Sequence, residues 1–203
     1  MTKLFPEFFR RTDESADRNF YRQPRFVSHI DEAACAAACR LYDELLPENG
    51  RILDLMSSYH SHLPDKFASV TGLGLNYEEL EHNDAVDEPV IHDLNANVTL
   101  PFKDASFDGS VCTVSVQYMV HPLDTFSEVA RSLKPGAPFV VTFSNRMFPT
   151  KAVLAWRSSD DASHLRLVRS YFENVSCFGR TYSQHHTPAD GDPLYAIWAY
   201  KNA

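Results

Sequence analysis

Long apolar runs are missing from this sequence. No stretch of the 203 residues approaches the ~18 consecutive apolar positions that a membrane helix needs, so a helical bilayer span is excluded. The first residues, MTKLFPEFFRR, lack the continuous apolar core and small-residue cleavage site of a secretory signal, and the protein is expected in the cytoplasm. A basic stripe is also missing. The formal charge of −8 comes from 19 Lys and Arg against 27 Asp and Glu, and the basic residues are scattered. Phosphate neutralisation needs them clustered, so a nucleic-acid partner is not expected. Cys35, Cys39, Cys112 and Cys177 form no CxxC pair, which argues against the common zinc frameworks and for reduced thiols. His60 with His62 and His185 with His186 are the densest histidine pairs, yet neither has a further ligand at a recognisable spacing. No metal is expected.

What is present fits one domain of ordinary size, with 44% hydrophobic and 23% charged residues, long enough to bury a core without disulfides or metal. The organising stretch runs from Arg51 to Pro64, RILDLMSSYHSHLP. Ile52, Leu53, Asp54 and Leu55 read as a buried parallel strand, and Ser57-Ser58 as a tight turn toward a helix. In an open α/β sheet, ligands bind beyond the carboxyl ends of the strands, where free backbone N–H groups face them. Asp54 to Ser58 is therefore a candidate ligand turn, although Met56, Ser58 and His60 stand where glycines are more usual.

A helix is expected from Asp31 to Leu46, with apolar residues at threes and fours and Pro47 and Asn49-Gly50 as its stop. Further strands are expected over Ser69 to Leu73, Val90 to His92, Gly109 to Met119 and Phe139 to Phe143. Helices should lie between them at Glu78 to His82 and Asp124 to Leu133. This alternation predicts a doubly wound α/β domain with a mostly parallel, Rossmann-like sheet. The last sixty residues predict helices over Lys151 to Trp156 and Asp161 to Phe172. Two strands then follow, Val175 to Tyr182 and Leu194 to Lys201, expected to pair antiparallel at the sheet edge. Residues 1–30 are irregular and aromatic, too rich in Phe and Tyr for a disordered tail. They are expected to dock on the domain formed by 31–203, either as plain packing or as a lid carrying Tyr21, Arg25 and His29.

Two motifs follow the ILDL strand at fitting distances. Leu100-Pro101-Phe102-Lys103-Asp104-Ala105-Ser106-Phe107-Asp108 matches LPF-x-D-x-SFD, and Glu128-Val129-Ala130-Arg131-Ser132-Leu133-Lys134-Pro135-Gly136 matches E-x-x-R-x-LKPGG. On these residues the chain resembles the class I S-adenosylmethionine-dependent methyltransferases, in particular the small-molecule group related to the methyltransferase type 11 domain, over about residues 48–145. The resemblance implies a seven-stranded sheet and S-adenosyl-L-methionine as cofactor. By the same resemblance Asp54, Met56, Ser57 and Ser58 hold its methionine part, Asp93 and Leu94 read its adenine, and Thr113 and Val114 wall the sulfonium. The acid that the family places at the end of its second strand for the ribose is absent, Gly74 standing there instead. Asn76 is the nearest substitute, or else a helix cap.

Methyl transfer from a sulfonium is an in-line displacement that asks the protein mainly for alignment and dryness. Acceptor-facing positions are expected after the fourth strand (Gln117, Tyr118, His121), after the fifth (Asn145, Arg146) and on the arm (Tyr21, Arg25, His29), with Arg25 or a tyrosine hydroxyl meeting the cofactor carboxylate. His29 and His121 have the intrinsic pKa of a base, and Tyr118 can orient or stack on an acceptor. With no inserted domain, a small-molecule acceptor is expected, a thiol or sulfide among the candidates. A non-catalytic cofactor-binding protein and a protein-directed methyltransferase are the alternatives.

Overall fold

The computed structural model describes residues 4–203. Its centre is a seven-stranded sheet in the order β3-β2-β1-β4-β5-β7-β6. The strands are β1 (Arg51–Leu55), β2 (Ser69–Gly74), β3 (Glu88–Ile91), β4 (Gly109–Thr113), β5 (Pro138–Phe143), β6 (Tyr182–His186) and β7 (Leu194–Tyr200). β1 to β5 run parallel, and β7 is antiparallel to both β5 and β6. Pro89, which cannot donate to a ladder, sits in edge strand β3.

Alternation along each strand divides the core between the two faces. Ile52, Val111 and Val140 join helix α2 (Glu32–Leu45) through Ala34, Ala38, Leu41 and Tyr42. Leu53, Cys112, Phe139 and Val141 face the other side, against α4 (Pro122–Ser132) and α6 (Asp161–Glu173), where Phe126, Val129, Val168 and Phe172 pack. Because both faces are covered, the strands read as near-continuous apolar runs, the pattern expected of a buried parallel sheet. The short helices α1 (Asp17–Phe20), α3 (Tyr77–Glu81) and α5 (Leu154–Arg157) complete the chain. Asp31 caps α2, its side chain accepting from Ala34 N, as the sequence predicts.

Three expected elements differ. The strand predicted over Gly109 to Met119 ends at Thr113, because Val114 turns into the left-handed region (φ 50) and Val116–Tyr118 forms a 3-10 turn. The strand predicted over Val175 to Tyr182 begins only at Tyr182. Val175 and Phe178 are drawn instead into the core beneath α6, and a single bridge joins Phe178 to Lys201. The expected antiparallel pair does lie at the sheet edge, with β7 between β5 and the edge strand β6. The helix predicted from Lys151 starts at Leu154, which leaves Lys151 in the turn before it.

Candidate active site

The carboxyl ends of β1, β2 and β4 open onto a cavity of about 270 Å³ that is also lined by the N-terminal arm. Its floor is the turn after β1. Met56 adopts φ 57, a conformation that glycine takes freely and methionine only under constraint. Side-chain hydrogen bonds supply that constraint. Ser57 Oγ and Ser61 Oγ donate to Asp54 Oδ2 at 2.6 and 2.5 Å, Asn83 Nδ2 donates to Ser58 O and Ser61 Oγ, and Ser58 Oγ donates to Glu79 Oε2 at 2.6 Å. A polar network thus fixes what a glycine-rich turn leaves to backbone freedom. Asp54 is 2% exposed, and burial pushes its carboxyl up to about 6 against the lowering effect of the two serines.

The two departures from the family pattern are one structural change. Ser57 N donates to Leu73 O at 2.8 Å, which brings the Ser57 carbonyl against Gly74, and a Cβ added at Gly74 would lie 2.3 Å from that oxygen. A turn built this way excludes any side chain at position 74, the usual ribose acid included.

Asp93 and Leu94 follow β3 on the same cavity. Asp93 Oδ1 accepts from the amides of Asn95 and Ala96, which shapes the loop and leaves the second oxygen uncommitted among the described residues. Thr113 and Val114 form the wall after β4. The Thr113 hydroxyl is tied to Tyr42 at 2.6 Å, and Val114 N donates to Thr142 O at 2.8 Å.

The arm is held by buried charge. Arg11 donates twice to Asp17, at 2.7 and 2.8 Å. Lys151, whose side chain is fully buried, lies 3.1 Å from Asp17 and from Asp13 and donates to Ser15 O at 2.7 Å. Asn95 Nδ2 bridges Asp17 to Tyr118 O. Burial raises the Asp17 pKa, yet Asn95, Arg11 and Lys151 together hold it below the ordinary carboxylate value. Further on, Asn76 Nδ2 donates to the carbonyls of Tyr21 (2.9 Å) and Arg22 (3.3 Å), and Arg25 N donates to Glu79 Oε1 at 2.7 Å. The Arg25 guanidinium lies 4.6 Å from the Phe20 ring centroid and 5.4 Å from that of Phe148.

Most positions expected from the sequence meet at this cavity: Tyr21, Arg25 and His29 from the arm, Asp54 to Ser58 from the turn, and Tyr118 and Arg146 beyond the fourth and fifth strands. Burial pushes the hydroxyls of Tyr21 and Tyr118 upward, Tyr118 to about 12, so neither ionises near neutrality. Gln117 does not line the cavity. It is fully buried, and its Nε2 braces the carbonyls of Val114 and Arg146. His121 stands at the N-cap position of α4 without a side-chain capping bond, and both it and Asn145 lie outside the cavity lining. Asn76 lines the cavity but has no free polar atom. Its Oδ1 caps α3 through Glu79 N while its Nδ2 anchors the arm. Arg11, Asp17, Lys151 and Phe148 also line the cavity, and no sequence motif marks them. Buried like-to-unlike charge is invisible in composition, and only the fold brings residues 11–17 to residue 151. Among the described residues no group of His, Cys, Asp or Glu is arranged to hold a metal ion.

Sheet order, antiparallel β7 and a cavity over the β1 and β4 ends define the fold of the class I S-adenosylmethionine-dependent methyltransferases. Comparison with known proteins agrees. Residues 56–141, from the first residue after β1 into β5, match the family model described as "Methyltransferase domain", Methyltransf_11. A curated relative, the biotin biosynthesis bifunctional protein BioHC of Teredinibacter turnerae, is 39% identical over 67 residues. That stretch is 33% of this chain and spans only 12% of the relative. Among solved structures, a possible histamine N-methyltransferase of Thermotoga maritima superposes with TM-score 0.59 at 17% identity, covering 83% of this chain and 90% of that one. An S-adenosylmethionine-dependent methyltransferase of Mesorhizobium loti does so with TM-score 0.56 at 16% identity, covering 82% and 98%. At such identities the likeness establishes the fold.

The Met56–Ser58 turn and the uncommitted Asp93 oxygen stand on one cavity, as the resemblance requires of residues that would hold the methionine and adenine parts of S-adenosylmethionine.

Proposed function

We propose that this protein is an S-adenosylmethionine-dependent methyltransferase acting on a small molecule. The observation that carries the reading is one cavity that joins the cofactor-type strand ends to an arm of the same chain, with no inserted domain among the described residues to grip a macromolecule. The bound cofactor would supply an electrophilic methyl on sulfur. The chain's own part is to orient, through the turn after β1, Asp93-Leu94 and Thr113-Val114, and to exclude water, through Tyr21, Arg25 and Phe148.

The arm belongs to this active site as a lid. It contributes Tyr21, Arg25 and His29 to the cavity and is tied to the core at Asn76, Glu79 and Lys151. Removing residues 1–28 is expected to leave a folded domain that binds cofactor more weakly and turns over far more slowly. Its first three residues lie outside the described ones.

A thiol or sulfide acceptor finds no support. A thiol ionises near neutrality with little help, whereas this cavity carries imidazoles that such an acceptor would not need. A non-catalytic binding protein is the second reading, favoured by the rebuilt turn and the missing ribose acid. Calorimetric titration with S-adenosylmethionine, followed by mass spectrometry for demethylated cofactor in the presence of small acceptors, separates the two. Saturable binding with turnover supports the enzyme, binding without turnover supports the second reading, and no binding overturns both.

A further inference from the structure

The side chain of Asn95 joins three parts of the cavity: the loop after β3 on which it stands, α1 of the arm, and the segment after β4. Its Oδ1 accepts from Val120 N at 2.9 Å, and its Nδ2 donates to Asp17 Oδ2 at 2.7 Å and to Tyr118 O at 2.9 Å. Val120 offers a proton where Asp17 and Tyr118 offer only oxygens, so the neighbours fix which way the amide points. Aspartate has the same shape without the donor, and leucine has neither donor nor acceptor. The backbone of Asn95 is committed as well, its N donating to Asp93 Oδ1 at 3.0 Å.

Both far ends of this junction bear on the arm. Asp17, 4% exposed, is the shared partner of Arg11 and Lys151. Tyr118 accepts at its hydroxyl from Phe148 N at 2.8 Å, and the Phe148 ring packs against Phe20 of α1. A chain of bonds therefore runs from the Asp93 carboxylate through Asn95 to the charge that holds the arm. One Asp93 oxygen secures Asn95 N, and the other is uncommitted among the described residues. A ligand amine donating to that second oxygen restrains the carboxylate, the carboxylate restrains Asn95, and the Nδ2 donor is then held where Asp17 receives it. Part of the freedom lost on docking the arm has by then been lost on binding the ligand, which is the condition for positive coupling. The other tie between cavity floor and arm, Glu79 between Ser58 Oγ and Arg25 N, reaches the arm at a different point.

We propose that Asn95 is a positioning residue that couples occupancy of the Asp93-Leu94 end of the cavity to docking of the arm at Asp17. This rests on the methyltransferase reading above, in which Asp93 and Leu94 read adenine, and adds the route by which the lid responds to what is bound. By linkage the coupling is reciprocal: the factor by which a bound ligand opposes opening of the arm is the factor by which the docked arm tightens the ligand. An arm held loosely before loading leaves the cavity accessible. One held firmly after loading keeps water out, which a displacement at sulfonium carbon requires.

The test uses the full chain as wild type, Asn95→Asp and Asn95→Ser, with S-adenosylhomocysteine as probe. Aspartate keeps the acceptor for Val120 N and removes the donor to Asp17, and serine is too short to reach Asp17. Calorimetry comes first, and no saturable binding to the wild type overturns the methyltransferase reading and this inference with it. Hydrogen exchange is then followed at the amides of Asp13, Asn19 and Tyr21, which bond Thr150 O, Ala16 O and Asp17 O. Saturating ligand should slow exchange there by about tenfold or more in the wild type and by less than about threefold in either variant, with a comparable loss of affinity in the variants. A residue that merely holds the arm would, when replaced, speed exchange in the free and bound forms alike and leave their ratio unchanged. An unchanged ratio in the variants overturns the proposal, as does a wild-type arm whose exchange does not respond to bound ligand. Asn95→Ser keeps the test decisive if the added carboxylate of Asn95→Asp prevents folding.

Discussion

The two walls of the cavity are built by different physics. The core wall consists of strand ends, Asp54 to Ser58, Asp93-Leu94 and Thr113-Val114, whose positions follow from the register of a parallel sheet and its backbone hydrogen bonds. The arm wall consists of residues 11–29 and is positioned by a few side chains: a buried cluster of Arg11, Asp17 and Lys151, and the double grip of Asn76 and Glu79. A wall made of sheet ends is rigid because many bonds share the load. One made of an ion cluster is only as firm as its least replaceable charge.

The sharpest way to break this comparison is Asp17→Ala. It leaves Arg11 and Lys151 buried without their shared partner, at a cost of about 3–5 kcal/mol. Thermal melting should show the loss, and limited proteolysis should cut within residues 11–29 while the sheet stays protected. Equal protection of both segments would mean that the arm is not held by this cluster.

Asp54→Asn acts on the core wall, with the opposite sign. The folded-state pKa of about 6 lies above the ~3.9 of an unfolded aspartate, so the folded protein binds more protons between about pH 4 and 6. Stability therefore falls as pH rises through that window, and the buried charge is carried above it. Removing the charge should recover on the order of 2 kcal/mol above pH 6 and flatten the slope between pH 4 and 6, while weakening cofactor binding. Denaturant titrations at pH 4, 6 and 8 check this. His62 works the other way in acid, since a folded pKa near 3 makes stability fall as pH drops below about 6.5.

Gly74→Asp restores the family's usual acid and should fail to restore its function. The new Cβ meets the Ser57 carbonyl, so the variant should lose about 1–3 kcal/mol, with no gain in cofactor affinity by calorimetry. Tighter binding in a stable variant would show that the turn yields. A smaller effect is expected from Asn76→Ala, which removes the α3 cap and one grip on the arm. It should cost about 0.5–2 kcal/mol in melting experiments, with a smaller change in cofactor affinity.

The same contrast explains what could be read beforehand. ILDL, the LPF and LKPG motifs and the helical spacing around Phe126 and Val129 identify the sheet and the core wall, because period and turn chemistry are local. Asn76 as a cap was also legible, from its place before Tyr77. The pairing of Lys151 with residues 13–17 was not, since nothing within a few residues of either marks it. Gln117 was misplaced as a cavity residue because the sequence does not show that β4 ends at Thr113 and turns its successor inward. His60 and His62 were weighed only as metal ligands, for lack of any local sign that they share a cavity with His29.

The central claim, that the core wall binds S-adenosylmethionine, is tested most directly by calorimetric titration of S-adenosylhomocysteine into the wild type and Asp93→Asn. Saturable one-site binding in the wild type is predicted, weakened in the variant by on the order of 1–3 kcal/mol as a charge-assisted hydrogen bond is lost. No saturable binding to the wild type, or equal affinity in both proteins, would contradict the account.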